Sequence, residues 1–157
     1  GVHQSTHVMQ GTLSVLGTHN GHMRIAADGT VAGTGTVVSV DASQGMISPG
    51  VNAPGALYAG SVQMSPAHTL KMEINGVTPD LQYDRLIASG SVSLNGATLM
   101  LVPGAFMPKG STFTIVTNAN GTFAGLPDGA IILTVFGKFR ISYTGGPAQT
   151  DVVLKAL

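Results

Sequence analysis

Cysteine and tryptophan are absent from this 157-residue chain, and charge is scarce, with Asp, Glu, Lys and Arg making up 9% of residues. Without Cys there is neither a disulfide framework nor a thiolate metal site. Seven cationic and seven acidic side chains cancel to a net charge of zero. A nucleic-acid partner is therefore not expected, because phosphate neutralisation needs a basic patch. Aromatic residues are only 5% of the chain, too few for the stacked platforms of a typical sugar-binding surface. No apolar run approaches the roughly 20 residues that span a bilayer; the longest, Ala130 to Phe136, reads as a strand. No basic segment followed by an apolar one opens the chain, so no signal peptide is read, and a start on Gly1 suggests a processed or excised piece.

What is abundant is apolar residues, at 43%, and glycine, at 22 residues. High hydrophobicity with little charge is the opposite of a disordered composition. The length suits one domain, residues 1–157. Near-zero net charge also removes the repulsion that keeps molecules apart, which favours self-association.

Short alternating runs recur along the whole chain. In Leu70-Lys71-Met72-Glu73-Ile74 both charges fall on one face and the three apolar residues on the other, as the strand period of two requires. Similar runs begin at Leu13, Met23, Val38, Val62, Tyr83, Val92, Thr98, Phe113, Ile131, Lys138 and Val152. Between them lie turn pairs such as Asn20-Gly21, Asp28-Gly29, Asn75-Gly76, Asn95-Gly96, Asp128-Gly129 and Gly145-Gly146. Gly adopts positive φ without a Cβ clash, and Asn or Asp tolerates it. The pattern predicts an all-β protein, with a sandwich, a barrel and a solenoid all open at this point.

Quasi-repeats bear on that choice. GTLSVLG is echoed by GTVAGTGTV, PGALYAGSVQM and SGSVSLNGATLMLV at a loose spacing of about twenty residues, within the range of solenoid rungs. This favours stacking.

Three stretches carry a likeness to a known family. They are residues 27 to 60 with the turn Ser48-Pro49-Gly50; Tyr83-Asp84-Arg85-Leu86 leading into GSVSLNGATLMLV; and residues 110 to 154, with STFTIVTNANGTFAGLPDGA and FRISYTGGPAQTDVVL. Over residues 27–157 the chain resembles the autotransporter-associated β-strand repeat region of bacterial passenger proteins. The resemblance implies an all-β, right-handed parallel β-helix (β-solenoid), and residues 105–157, rich in Phe, are expected to be a modified C-terminal cap or assembly region. It also implies export to the cell surface or beyond, and no catalytic residue to carry over. Residues 1–26 are expected to form an N-terminal arm or cap.

His3, His7, His19 and His22 have the right chemistry for zinc, copper or nickel, but no carboxylate accompanies them before Asp28; a solvated or interfacial arm is the expectation. Gly145 to Asp151 approaches a calcium-binding nonapeptide, one residue too long and present once, and reads as a tight turn. Asp80 and Asp84 are the nearest acid pair, which glycoside hydrolysis would need in a cleft. With no His, Lys or Arg cluster for substrate they read as a turn and a strand start. Phe106, Phe113, Phe123, Phe136 and Phe139 are expected to plug a core or cap an end. Asn120-Gly121-Thr122 matches a glycosylation acceptor and reads as a turn.

The expectation is thus no catalytic, cofactor-binding or metal residue, no cofactor, and no enzyme. The expected role is an extracellular structural scaffold, a surface or matrix component self-assembling into rods or filaments. Its partner would be further copies of itself, with a glycan or cell-surface partner also open and no membrane-spanning segment. The competing readings are an adhesin-like or carbohydrate-binding module and, behind it, a polysaccharide hydrolase or lyase.

Overall fold

Alternation of inward apolar and outward polar residues sets almost every element of the computed structural model, which describes residues 5–157. The strands are β1 (Ser5–Val15), β2 (Thr18–Gly33), β3 (Thr36–Ala42), β4 (Gly45–Pro49), β5 (Ala56–Met64), β6 (His68–Ile74) and β7 (Arg85–Ala88). They continue with β8 (Val92–Ser93), β9 (Thr98–Pro103), β10 (Thr112–Val116), β11 (Ala119–Asn120), β12 (Ile131–Thr134), β13 (Gly137–Gly145) and β14 (Asp151–Ala156). In β6 the residues alternate strictly between buried and half-buried, so His68, Leu70, Met72 and Ile74 face the core while Lys71 and Glu73 face outward.

All fourteen strands join one sheet, whose main path runs β12-β13-β14-β10-β7-β5-β3-β2-β4-β6-β9. It curls round a single apolar core and nearly closes, barrel-like, with β12 and β9 as the unjoined ends of the path. From β1 to β11 the ladders are parallel. From β10 onward the direction reverses, and β10–β14, β14–β13 and β13–β12 are antiparallel. The expected right-handed parallel β-helix is therefore corrected: the sheet is mixed and barrel-like.

The physical reason lies in the connections. A parallel crossover needs a dozen or more residues, whereas a hairpin closes in two. Only Val135 and Phe136 separate β12 from β13, and only Gly146 to Thr150 separate β13 from β14. Gly137, at φ 115°, completes the first reversal, and Gly146 (φ 73°) and Gln149 (φ 57°) the second. Turn chemistry, alternation and link length are all shared by the parallel and antiparallel parts. Leu16-Gly17 joins β1 to β2 and Thr34-Gly35 joins β2 to β3, yet both pairs are parallel, with Ser5 opposite His22 and Thr18 opposite Thr36, whereas Thr134 pairs Gly137 directly across its link.

The quasi-repeats do meet in space. Gly11-Thr12 lies opposite Gly29-Thr30, Thr36-Val37 opposite Tyr58-Ala59, and Ala59 opposite Ala88. Glycine is required where these chains approach most closely: a Cβ on Gly60 would strike the Val38 carbonyl. Two other readings are corrected. Residues 5–26 are not an arm, since they form β1 and much of β2; and Ser48-Pro49 ends strand β4 instead of forming a turn.

The aromatic residues divide. Phe113, Phe123 and Phe139 are fully buried, with Phe113 edge-on to both Tyr83 and Phe139 at centroid distances of 5.1 and 5.9 Å. Phe106 and Phe136 stack edge-to-face at 5.4 Å, and Phe106 is largely exposed.

Candidate functional site

Three features can support function: the residues singled out by their chemistry, the grooves between strands, and the open edges of the sheet.

The histidines do not converge. His3 lies outside the described residues. His7 sits opposite Arg24 and His22 opposite Ser5 across the β1–β2 ladder. His22 Nδ1 is hydrogen-bonded to Ser39 Oγ at 3.0 Å, and His19 Nε2 to Thr6 Oγ1 at 2.8 Å. Among the described residues no three His, Asp or Glu side chains gather closely enough to hold a metal ion.

The acid pair is also split. Asp80, at φ 68°, takes both a 2.6 Å and a 2.7 Å hydrogen bond from the Arg85 guanidinium. Asp84 is fully buried. Its Oδ1 accepts from the Gly55 N–H at 2.9 Å and its Oδ2 from the Glu73 N–H at 2.8 Å. One carboxyl thus fastens the start of β5, the end of β6 and the start of β7. Burial pushes its pKa up to about 7, against the pull of the two backbone N–H groups.

His68 is the histidine that sequence reasoning passed over. It is fully buried, its Nδ1–H donates to the Gln44 carbonyl at 3.0 Å, and its Nε2 has no partner. Burial lowers its pKa, so the neutral ring occupies the core. The signal was in the sequence: His68 stands two residues before Leu70, on the inward phase of β6.

Gly145 to Asp151 forms a turn and the start of β14, and Asp151 Oδ1 accepts from the Asn118 N–H at 3.2 Å. Asn120 ends the short strand β11. Two shallow grooves cross the outside of the sheet. One, of about 470 Å³, is polar, with Thr12, Thr30, Ser48, Lys71 and Glu73 among its walls; the other, of about 410 Å³, is more apolar and is walled by Val38, Tyr58 and Ile87.

The longest open edge is β1. It pairs with β2 from Ser5 to Val15 and has no other ladder partner among the described residues. Its eleven residues, STHVMQGTLSV, include no Lys, Arg, Asp, Glu or Pro. No helix among the described residues is long and apolar enough to cross a membrane. Compared with known proteins, the chain matches no family model, no curated protein and no solved structure.

Proposed function

We propose that the protein is a non-catalytic structural scaffold of the cell surface or extracellular matrix, which assembles with further copies of itself through open sheet edges. The observation that carries this reading is the β1 edge. An uncovered strand presents a row of unpaired N–H and C=O groups, and proteins that stay monomeric blunt such rows with charge, proline or bulges. β1 has neither charge nor proline, and beyond its one register shift, between Val8 and Gln10, the run Gly11–Val15 pairs without interruption.

The chain's zero net charge leaves no long-range repulsion between copies. An edge that meets a different surface on the next copy forms an open chain of molecules, so rods or filaments are the expected product. The resemblance of residues 27–157 to passenger repeats supports the extracellular location.

The test is mass by light scattering over a concentration series, with negative-stain images, for the wild type and for Thr12→Lys and Ser14→Lys. Both positions are exposed, so the fold is spared. Growth of the wild type into rods and its suppression by either lysine supports the proposal. A wild type that remains monomeric at high concentration, or lysine variants that assemble equally well, overturns it.

A further inference from the structure

The antiparallel end of the sheet carries a second surface, independent of the β1 edge. Its outward residues follow from register. Arg140 of β13 stands opposite Lys155 of β14 and opposite Ile131 of β12, and Lys138 stands opposite Leu133. Three of the chain's seven cations therefore share one face of three adjacent strands, and all three are exposed. Among the described residues the ion pairs are Arg24–Asp41 and Arg85–Asp80, so none of these three has an acidic partner. The acidic side chains of the segment are otherwise engaged: Asp128 accepts from the Tyr143 N–H at 2.9 Å, and Asp151 from the Asn118 N–H at 3.2 Å.

Arg140 directly across from Lys155 is a like-charge pair, which costs a sheet stability unless something anionic covers it.

Beside this basic face lies an apolar rim. Ile131 is 47% exposed, Leu133 73% and Val135 85%, and Ile131 and Leu133 stand directly opposite Arg140 and Lys138. Apolar side chains this far out of the core, adjoining unpaired cations, match an interfacial surface in which carbon enters the acyl boundary while Lys and Arg meet headgroup phosphates. A soluble polyanion would use the cations and leave the rim in water. A second copy docking face to face would set like charges against each other, and the β1 edge of another copy carries no acid to meet these cations.

We infer that the face formed by Lys138, Arg140 and Lys155, with Ile131, Leu133 and Val135 as its rim, docks onto an anionic lipid surface. Contact is shallow: side chains enter, while the unpaired backbone of β12 stays at headgroup level, because an open edge is excluded from hydrocarbon. Since the whole chain is neutral, attraction acts only within a Debye length, about 10 Å at 0.1 M salt.

The test is flotation with vesicles of phosphatidylglycerol and phosphatidylcholine, against vesicles of phosphatidylcholine alone. The wild type should float with the anionic vesicles only and be released by high salt. Each neutralised cation should weaken partitioning roughly fivefold, so K138Q/R140Q/K155Q should lose on the order of a hundredfold. L133D/V135D should also abolish flotation, with circular-dichroism melts checking that each variant is folded. Thr12→Lys, which blocks the β1 edge, should float like the wild type, so failure of the assembly proposal and failure of this one are separable. No flotation with anionic vesicles, equal flotation with neutral ones, or retention on immobilised heparin without flotation overturns the inference.

Discussion

Replacing Asp84 with Asn should change the sign of its effect on stability between acid and alkaline pH. The Asn side chain keeps the shape, but its amide NH₂ cannot accept, so one of the two N–H groups, from Gly55 or Glu73, is left unpaired in the core. That loss is worth about 1–3 kcal/mol. Against it stands the charge. The folded-state pKa of about 7 lies above the ordinary 3.8, so folding favours the neutral acid. The contribution is complete below pH 3.8 and is lost as the pH rises towards 7. Three pKa units correspond to about 4 kcal/mol of lost stability in the wild type by pH 8, a penalty Asn never incurs. Asp84→Asn should therefore be less stable than wild type by about 1–3 kcal/mol at pH 4 and more stable by a similar amount at pH 8. Urea unfolding of both proteins at the two pH values measures this directly, and the His68 titration, common to both, cancels in the difference. A loss of equal size at both pH values would refute the burial argument.

His68 titrates in the opposite sense. Its pKa is lowered by burial, so its contribution is present above the ordinary 6.5 and is lost as the pH falls below it; His68→Leu should flatten the acid limb of a stability–pH curve while Asp84 continues to act. Phe113→Ala removes a fully buried ring that touches both Tyr83 and Phe139, and should cost about 3–5 kcal/mol in denaturant unfolding; a cost below 1 kcal/mol would mean that this aromatic row does not hold the two parts of the sheet together.

The fold was legible where side-chain period alone decides. In β6 the alternation assigns the strand, its inward face and, with one more step back, the buried His68. The β13 and β14 strands were equally readable from Lys138 to Tyr143 and Val152 to Lys155. Direction was not readable from period, because a strand's alternation is the same in a parallel or an antiparallel ladder. Link length was no guide either, since two residues also join the parallel strands β1 and β2; the direction is set by Thr134 pairing with Gly137 directly across Val135-Phe136, a register that only the folded sheet shows. Strand β4 was missed because Ser48-Pro49-Gly50 is a strong turn signal, yet Pro49 closes the strand and only Gly50, at φ 85°, turns.

For the candidate surfaces, the absence of charge in β1 was visible in the sequence, but not that β1 is an outer strand. Likewise Lys138, Arg140 and Lys155 are separated in sequence by up to seventeen positions. Only the β13–β14 register puts them on one face. Asp84 read as a strand start; its role as a triple fastening depends on Gly55 and Glu73, which reach it through tertiary contact alone.

The position of β14 has a consequence for how the chain is built. The hairpin of β12 and β13 reaches the rest of the sheet only through β14, which lies between β13 and β10. The parallel ladders can form in order as successive strands emerge, each laid against one already in place. The hairpin, although made earlier, has no ladder partner in the rest of the sheet until residues Asp151–Ala156 arrive. The last strand in the sequence is therefore the step at which a growing sheet and a separate hairpin become one cooperative unit.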